Sequence, residues 1–250
     1  MLYRMEKLIG MSIGASDGEL GKVKDLYFDD RRWAVRYLIV ETGSWLEQRK
    51  VLISPIAVRS INWDDGIVRV GLTMEQVKAS PDIDTDKPVS RQHELEFFNY
   101  YGYPDYFDGS MLWGISPYPL IPTQHALPGT SPAKRIAKPD DVHLRSAEVV
   151  KGYQLQATDE SIGHLADFLL DDGSWAIRYV VVDTSNWWFG KHVVIPTEWI
   201  THLDWAEKNA TVGVLREVVK AAPEYDPAVE FSREYEAKLF RHYERPAYWE

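Results

Sequence analysis

The chain has 250 residues and a formal net charge of −10, a length that fits one large domain or two small ones. Nucleic-acid binders present positive charge to phosphates, so an acidic chain without a basic stripe argues against nucleic acid as a partner. The absence of cysteine excludes disulfides, thiol nucleophiles and Cys-type zinc sites. Since we find neither a secretion-signal pattern nor about 18 consecutive apolar residues, we expect a cytoplasmic protein with no membrane span.

An internal repeat organises the chain. At an offset of 142 residues, residues 8–107 align without a gap on residues 150–249, and 32 of these 100 pairs are identical. Average composition would give about 6%. The repeat predicts two domains with one fold, at residues 1–107 and 146–250. Between them, residues 108–145 are rich in proline and are predicted to be a linker, whose apolar first half packs against a domain.

Each copy begins with a predicted β-hairpin. In the first copy, residues 22–28 and 33–40 are rich in β-branched and aromatic residues and flank the acidic turn 29–32. The second copy has Asp-Asp-Gly-Ser at this turn, which is a stronger hairpin signal. Further short strands are predicted at residues 50–54, 58–63, 67–72, 192–195, 200–205 and 211–215. Five or six short strands per copy are typical of a small barrel.

Two helices follow the strands of each copy. A short helix is predicted at residues 73–80, where Thr73 and Gln76 can form a capping box before Pro81. Residues 215–222 repeat this helix. An amphipathic tail helix is predicted from Ser90 onward and again in the second copy, because apolar residues recur at helical spacing. An extended Tyr-Pro segment ends each copy.

The hairpin sequences carry a family resemblance. The stretch DGELGKVKD at residues 17–25, followed by Trp33 and RYLIV at 36–40, resembles the PRC-barrel family, and residues 159–167 and 175–183 fit equally well. This family is named for the cytoplasmic domain of the photosynthetic reaction-centre H subunit, and it includes the C-terminal domain of a ribosome-maturation factor. Neither the membrane helix of the former nor the preceding domain of the latter is matched, so we do not expect either specific role.

The resemblance covers roughly residues 7–81 and 149–223. It implies a mainly β fold of two small PRC-like β-barrels, each followed by a short helix and an aromatic helical tail. It also implies domains that dock onto other proteins or onto their own copies without catalysing a reaction.

Two repeated pairs of charged residues are candidates for structural ion pairs. Asp25 and Arg36 lie on neighbouring strands of the predicted hairpin, as do Asp167 and Arg178, and a cross-strand ion pair is the simplest account of each. Read as a catalytic carboxylate, Asp25 lacks a repeated second acid or histidine. The acidic turns could instead bind a cation such as calcium, but their spacing differs from that of a calcium loop.

Histidine positions argue against a repeated metal or acid–base site. None of the seven histidines aligns with another at the 142-residue offset, and no metal-binding or nucleophile motif is present. We therefore predict no catalytic residue, no metal and no cofactor.

Several aromatic residues are candidates either for the core or for an interaction surface. Trp33 and Trp175 recur at the hairpin turns and are expected to be buried. Loop tryptophans Trp45, Trp187 and Trp188 can fill a core or anchor a partner. The same alternatives apply to the tail residues, which include Tyr101 and Tyr243. We expect each tail to pack on a barrel, either its own or that of the other copy.

The leading hypothesis is a non-enzymatic interaction or scaffold protein that binds an unidentified protein partner and forms a homodimer. One alternative is a protein that binds a small ligand or a cation in a cleft between the barrels. Another is a peripheral role in assembly or in an electron-transfer complex, like that of the reaction-centre H subunit. An enzyme is the least favoured class.

Overall fold

In the computed structural model, the chain folds into two units. The N-terminal unit comprises Lys7–Ala147 and Gly173–Ala176, and the C-terminal unit comprises Met1–Glu6, Glu148–Asp172 and Ile177–Glu250. The structure describes residues 1–81, 89, 91–107, 109–120, 143–184 and 190–246. The N-terminal unit therefore includes residues 173–176 of the second copy, and the C-terminal unit includes residues 1–6, which precede the first copy.

Short strands and short helices form both units. The strands are β1 (Leu2–Arg4), β2 (Ser12–Gly14), β3 (Glu19–Asp29), β4 (Ala34–Thr42), β5 (Lys50–Ile53), β6 (Val58–Asn62), β7 (Ile67–Val70), β8 (Leu144–Ser146), β9 (Gln154–Gln156), β10 (Ser161–Asp171), β11 (Ile177–Asp183), β12 (His192–Pro196), β13 (Ile200–Asp204) and β14 (Asn209–Val212). The α-helices are α1 (Met74–Lys78), α2 (Arg91–Tyr101), α3 (Ala147–Val150), α4 (Arg216–Lys220) and α5 (Arg233–His242). None of the helices in the described ranges has the length and apolar character needed to cross a membrane.

One seven-stranded sheet forms the centre of each unit. In the N-terminal unit the strand order is β5-β4-β3-β2-β7-β6, with β8 also paired to β3. In the C-terminal unit it is β12-β11-β10-β9-β14-β13, with β1 also paired to β10. Neighbours are antiparallel except β2 with β7 and β9 with β14, which are parallel. The mainly β fold of two like units, predicted from the repeat, is confirmed.

The seventh strand of each sheet comes from the segment that immediately precedes the other copy of the repeat. Strand β8 precedes the second copy and pairs with β3, with Leu144 opposite Asp29. Strand β1 precedes the first copy and pairs with β10, with Leu2 opposite Asp171. Both rungs are related by the 142-residue offset, so the exchange is reciprocal and has the same register. We call β1 and β8 the exchanged strands.

Matching β-bulges bend the long hairpins. The register of β3 and β4 shifts after Val23 and again after Tyr27, and β10 and β11 shift at the equivalent positions. Gly21 has a φ of 148°, and a Cβ there would collide with the carbonyl oxygen of Glu41. Gly163 repeats this geometry against Asp183. Glycine is therefore required at both positions, because of the positive φ and the close approach of the neighbouring backbone.

The predicted helices are present. Thr73 and Gln76 form the expected capping box at the start of α1. The tail helices pack on the sheet of their own unit, since Phe97 of α2 contacts Tyr37 and Phe240 of α5 contacts Tyr179. Of the segment predicted as a linker, residues 109–120 and 143–145 are described and belong to the N-terminal unit.

Candidate functional site

The repeated aspartates on the long strands hold the exchanged strands. Ser146 donates its hydroxyl to Asp25 Oδ2 at 2.5 Å, and Arg4 Nε donates to Asp167 Oδ2 at 2.9 Å. Ser146 and Arg4 occupy the same position of the two exchanged strands. Both units thus share one geometry, in which an aspartate binds the last residue of the exchanged strand. The donor is a neutral hydroxyl in one unit and a cation in the other.

Neither predicted cross-strand pair forms as expected. Arg36 Nη2 lies 3.4 Å from Asp29 Oδ2 rather than beside Asp25. In the second copy, Arg178 Nη2 lies 3.9 Å from Asp171 Oδ2. The bulge makes each arginine the extra residue of its strand and places it near the hairpin turn. The predicted pairings are wrong because a regular hairpin register was assumed.

Burial changes the acidity of Asp167. The residue is 2% exposed, and removal from water raises the pKa of its carboxyl above the ordinary value of 3.8. Hydrogen bonds from the Phe168 backbone N–H and from Arg4 oppose this shift. A third donor is the backbone N–H of Glu6, at 3.3 Å. Donors from the β1 segment thus join the Phe168 N–H in offsetting the burial of this carboxyl.

The acidic turns also bind the exchanged strands. Asp30 Oδ2 accepts a bond from Arg145 Nε at 3.0 Å, and Asp172 Oδ1 lies 2.8 Å from the amino group of Met1. Within the described ranges, no group of three or more metal-ligating side chains is present. The turn carboxylates that were considered as calcium ligands are engaged by cations of the chain itself.

A second buried polar group joins the tail of the first copy to β8. Glu94, in α2, is 1% exposed. Its Oε1 accepts bonds from the hydroxyls of Tyr37, at 3.1 Å, and Tyr106. Its Oε2 lies 3.0 Å from Nε2 of His143, which immediately precedes β8. We call these four residues the Glu94 cluster.

The phenols of this cluster act as neutral donors. Burial, and then the charge of Glu94, raise the pKa of Tyr37 and of Tyr106 well above the usual value for tyrosine. Both hydroxyls therefore stay protonated and point at one carboxylate that has no contact with solvent. Such a group stabilises packing, and its inaccessibility argues against a role in catalysis.

The C-terminal unit keeps only part of this arrangement. Glu236 aligns with Glu94 and is 2% exposed. Its Oε1 accepts a 2.5 Å bond from the hydroxyl of Tyr179. Its Oε2 instead lies 2.6 Å from Arg233 Nη1, and the Arg233 side chain is 61% exposed. The glutamate–tyrosine bond is repeated, whereas the remaining partners differ.

Arg36 is enclosed between aromatic rings. It is 1% exposed, and its guanidinium carbon lies 3.6 Å from the ring centre of Tyr106 and 4.6 Å from that of Trp113. Its Nη2 also donates to the carbonyl of Leu112 at 2.8 Å. Trp113 in turn donates its indole N–H to the carbonyl of Ser174. Cation–π contacts replace water around this charge.

A second arginine fixes the loop that follows the tail. Arg32 donates to the backbone carbonyls of Tyr106 and Met111 through Nη1 and to those of Phe107 and Gly109 through Nη2. The loop at residues 109–120, which we call the apolar loop, carries several exposed apolar side chains. They are Met111 (47% exposed), Ile115 (83%), Tyr118 (58%) and Leu120 (37%). The sequence predicted that the apolar first half of the linker packs against a domain. Trp113 does so, at 4% exposed, but the exposed apolar surface was not predicted.

The repeated turn tryptophans lie in a left-handed backbone conformation. The φ angles of Trp33 and Trp175 are 50° and 59°, which is uncommon for a bulky residue. Trp175 is 2% exposed, whereas Trp33 is half-buried and stacks on Phe28. Both belong to the packing of the hairpins.

The other aromatic candidates that the structure describes also face the protein interior. Trp45 is half-buried and donates its indole N–H to the carbonyl of Leu20 at 2.8 Å. Tyr101 stacks on Tyr103, and Tyr243 packs against Trp199. Trp187 and Trp188 lie outside the described residues.

Comparison with known proteins identifies the two copies. A family model described as PRC-barrel domain matches the chain twice, at residues 2–73 and at residues 146–218. Together the matches span more than half of the chain and leave out the tail helices and the apolar loop. No curated protein matches the chain significantly.

Proposed function

Because this chain belongs to the PRC-barrel family, whose domains are generally protein-interaction modules, we propose that it is a scaffold protein that binds a protein partner through the apolar loop. The observation that carries this proposal is a group of exposed apolar side chains on a loop whose first residues are held by hydrogen bonds. Arg32 binds four carbonyls of the loop and its approach.

A fixed loop is well suited to binding. Ordering a flexible segment costs free energy on association, and a segment already held in place avoids that cost. Ile115 and Tyr118 project 83% and 58% of their surface to solvent. Aromatic and large apolar residues are frequent anchors of protein interfaces, where partners exclude water from them.

A non-enzymatic role agrees with how the buried ionisable groups are used. Glu94 is surrounded by two phenols and a histidine, and Asp167 accepts bonds from the β1 segment. These groups are engaged in holding helices and exchanged strands, and the family is generally non-catalytic. The homodimer expected from the sequence would be one form of the proposed interaction, with a second copy as the partner.

Site-specific photo-crosslinking in the native host tests the proposal. A photoreactive amino acid in place of Ile115 should give one dominant cross-linked product, and mass spectrometry identifies the captured protein. The double variant Ile115→Ser/Tyr118→Ser should no longer bind the captured protein when both are purified. A photoreactive residue in place of Leu215, which is 55% exposed in the C-terminal unit, serves as the matched control.

Light scattering of the purified chain separates the two forms of the interaction. A dimer that becomes a monomer in the double variant assigns the loop to self-association, whereas an unchanged mass together with loss of the cross-linked protein assigns it to another partner. Equal cross-linking from positions 115 and 215, or unchanged binding by the double variant, would contradict the proposal.

A further inference from the structure

A cleft of about 320 Å³ lies at the start of α5 in the C-terminal unit. It is formed by the segment between α4 and α5 and by the first turns of α5, at residues 224–238. The cleft is separate in sequence from the apolar loop. Carboxylates and aromatic rings line it together.

Negative charge dominates the lining. The carboxylates are those of Glu224, Asp226, Glu230 and Glu234, and Lys238 is the one cation among the lining residues. Four negative charges and one positive charge give the cleft a net charge of −3. Across the described part of the chain, none of the four carboxylates forms an ion pair within 4.0 Å. Asp226 Oδ1 accepts the backbone N–H of Ala228 at 2.9 Å, and Glu224 acts electrostatically on Lys191, so Glu230 and Glu234 are the carboxylates most available to a ligand.

Three packed aromatic rings line the cleft, and two of them, Tyr225 (4% exposed) and Phe231 (7%), are almost fully buried. The ring centres of Tyr225 and Phe231 are 5.9 Å apart, those of Phe231 and Tyr235 are 5.2 Å apart, and those of Tyr225 and Tyr235 are 6.0 Å apart. Tyr235 donates its hydroxyl to the carbonyl of Pro223 at 2.9 Å, which fixes its ring. Burial raises the pKa of Tyr225 to about 12, so this phenol stays neutral. Neutral aromatic faces attract cations.

The aligned positions of the first copy have different residues. At the positions of Tyr225, Phe231 and Tyr235 the first copy has isoleucine, valine and histidine, at residues 83, 89 and 93. At the position of Glu234 it has Gln92. The combination of these rings and carboxylates is therefore found in the sequence of the second copy alone.

We propose that this cleft binds an organic cation, namely a guanidinium or alkylammonium group. The carboxylates attract the charge, and the fixed rings contact the apolar part of the group, a combination that a hydrated metal ion does not need. The net charge of −10 increases the local concentration of cations around the whole chain. The cation can belong to a free amine or to an arginine or lysine side chain of another protein.

Calorimetric titration of the full chain tests the proposal. Agmatine and choline represent free cations, and an arginine-rich tetrapeptide represents cationic protein side chains. Butylurea is a neutral compound of similar shape and serves as the control ligand. The double variant Glu230→Gln/Glu234→Gln should weaken cation binding about tenfold, and Tyr235→Leu about threefold, which are ordinary sizes for lost charge pairs and cation–π contacts. Glu198→Gln/Glu207→Gln removes the same charge at exposed positions elsewhere in this unit and should change binding less than about twofold.

The ligands distinguish the sources of the cation. Tighter binding of agmatine or choline assigns a free amine, and tighter binding of the tetrapeptide assigns a protein side chain. Absence of binding by all three cations would overturn the proposal, as would equal binding of butylurea or an equal effect of the two double variants. None of these substitutions touches the apolar loop, so this result is independent of the proposed scaffold role.

Discussion

The two glutamates of the tail helices show how the copies differ. Glu94 and Glu236 align in the repeat, are almost fully buried and accept a bond from the aligned tyrosine on the sheet. In the N-terminal unit, Glu94 also binds Tyr106 and faces His143, whereas Glu236 reaches a largely exposed arginine. The repeated residues supply the bond that attaches the tail to the sheet. We expect the partners that are not repeated to determine how much this bond contributes to the stability of each unit.

Alanine substitution of these glutamates should have the largest effect and should be asymmetric. Glu94→Ala leaves two buried phenols and a buried histidine without their shared acceptor, so we expect a loss of about 3–5 kcal/mol in the free energy of unfolding. Glu236→Ala leaves one buried phenol, and we expect about 1–2 kcal/mol. Urea unfolding followed by tryptophan fluorescence measures both losses, and hydrogen exchange assigns them to a unit.

Glu94→Gln is the matched control for this comparison. The amide oxygen still accepts from both tyrosines, so the loss should be smaller than that of Glu94→Ala. Equal losses for Glu94→Ala and Glu236→Ala would show that Tyr106 and His143 add nothing to the attachment of the tail.

Local signals were sufficient to predict most elements of the fold. The hairpins follow from β-branched runs around a turn, and α1 follows from Thr73 and Gln76, which form a capping box. Such features depend on residues close in sequence. The family match likewise rests on strands and turns that both copies share.

The exchanged strands could not be predicted from such signals. Strand β1 has three residues, too few for an alternating pattern, and β8 has three residues at the boundary of a segment predicted as linker. Which copy each strand joins is decided by contacts between residues far apart in sequence, such as Arg4 with Asp167. The repeat identified Glu94 and Glu236 as equivalent, but the role of Glu94 depends on His143, which has methionine as its counterpart in the repeat.

The apolar loop allows a second comparison of the copies, because Arg32, which binds it, is present in the first copy only. Arg32→Ala removes four hydrogen bonds to carbonyls of the loop and its approach, and we expect about 2 kcal/mol less protection of amides in residues 109–116 in hydrogen exchange. The second copy has Ser174 at this position. Arg31→Ala, at the exposed neighbouring residue, is the control. Equal deprotection in both variants would mean that Arg32 does not hold the loop.

Arg4→Ser makes the first exchanged strand resemble the second, which has Ser146 at the equivalent position. The variant loses a partly buried ion pair to Asp167, so we expect hydrogen exchange in β1 to indicate about 1 kcal/mol weaker docking. The pKa of Asp167 should rise further, because Arg4 is one of the groups that lower it. A carbon-detected titration of the Asp167 carboxyl measures this change. An unchanged pKa would show that Arg4 does not contribute to the acidity of Asp167.

The smallest expected effect is the dependence of stability on pH that Asp167 produces. Its folded-state pKa lies above the ordinary value of 3.8, so the folded chain binds more protons than the unfolded chain between these two values. The corresponding stabilisation is complete below pH 3.8 and is lost as the pH rises through the folded-state pKa. Unfolding measured across this range should therefore show the wild-type chain losing stability relative to Asp167→Asn as the pH increases. A difference that grows in the opposite direction would mean that Arg4 and the two backbone donors outweigh the burial of this carboxyl, and that the charged form is the one the exchanged strand prefers.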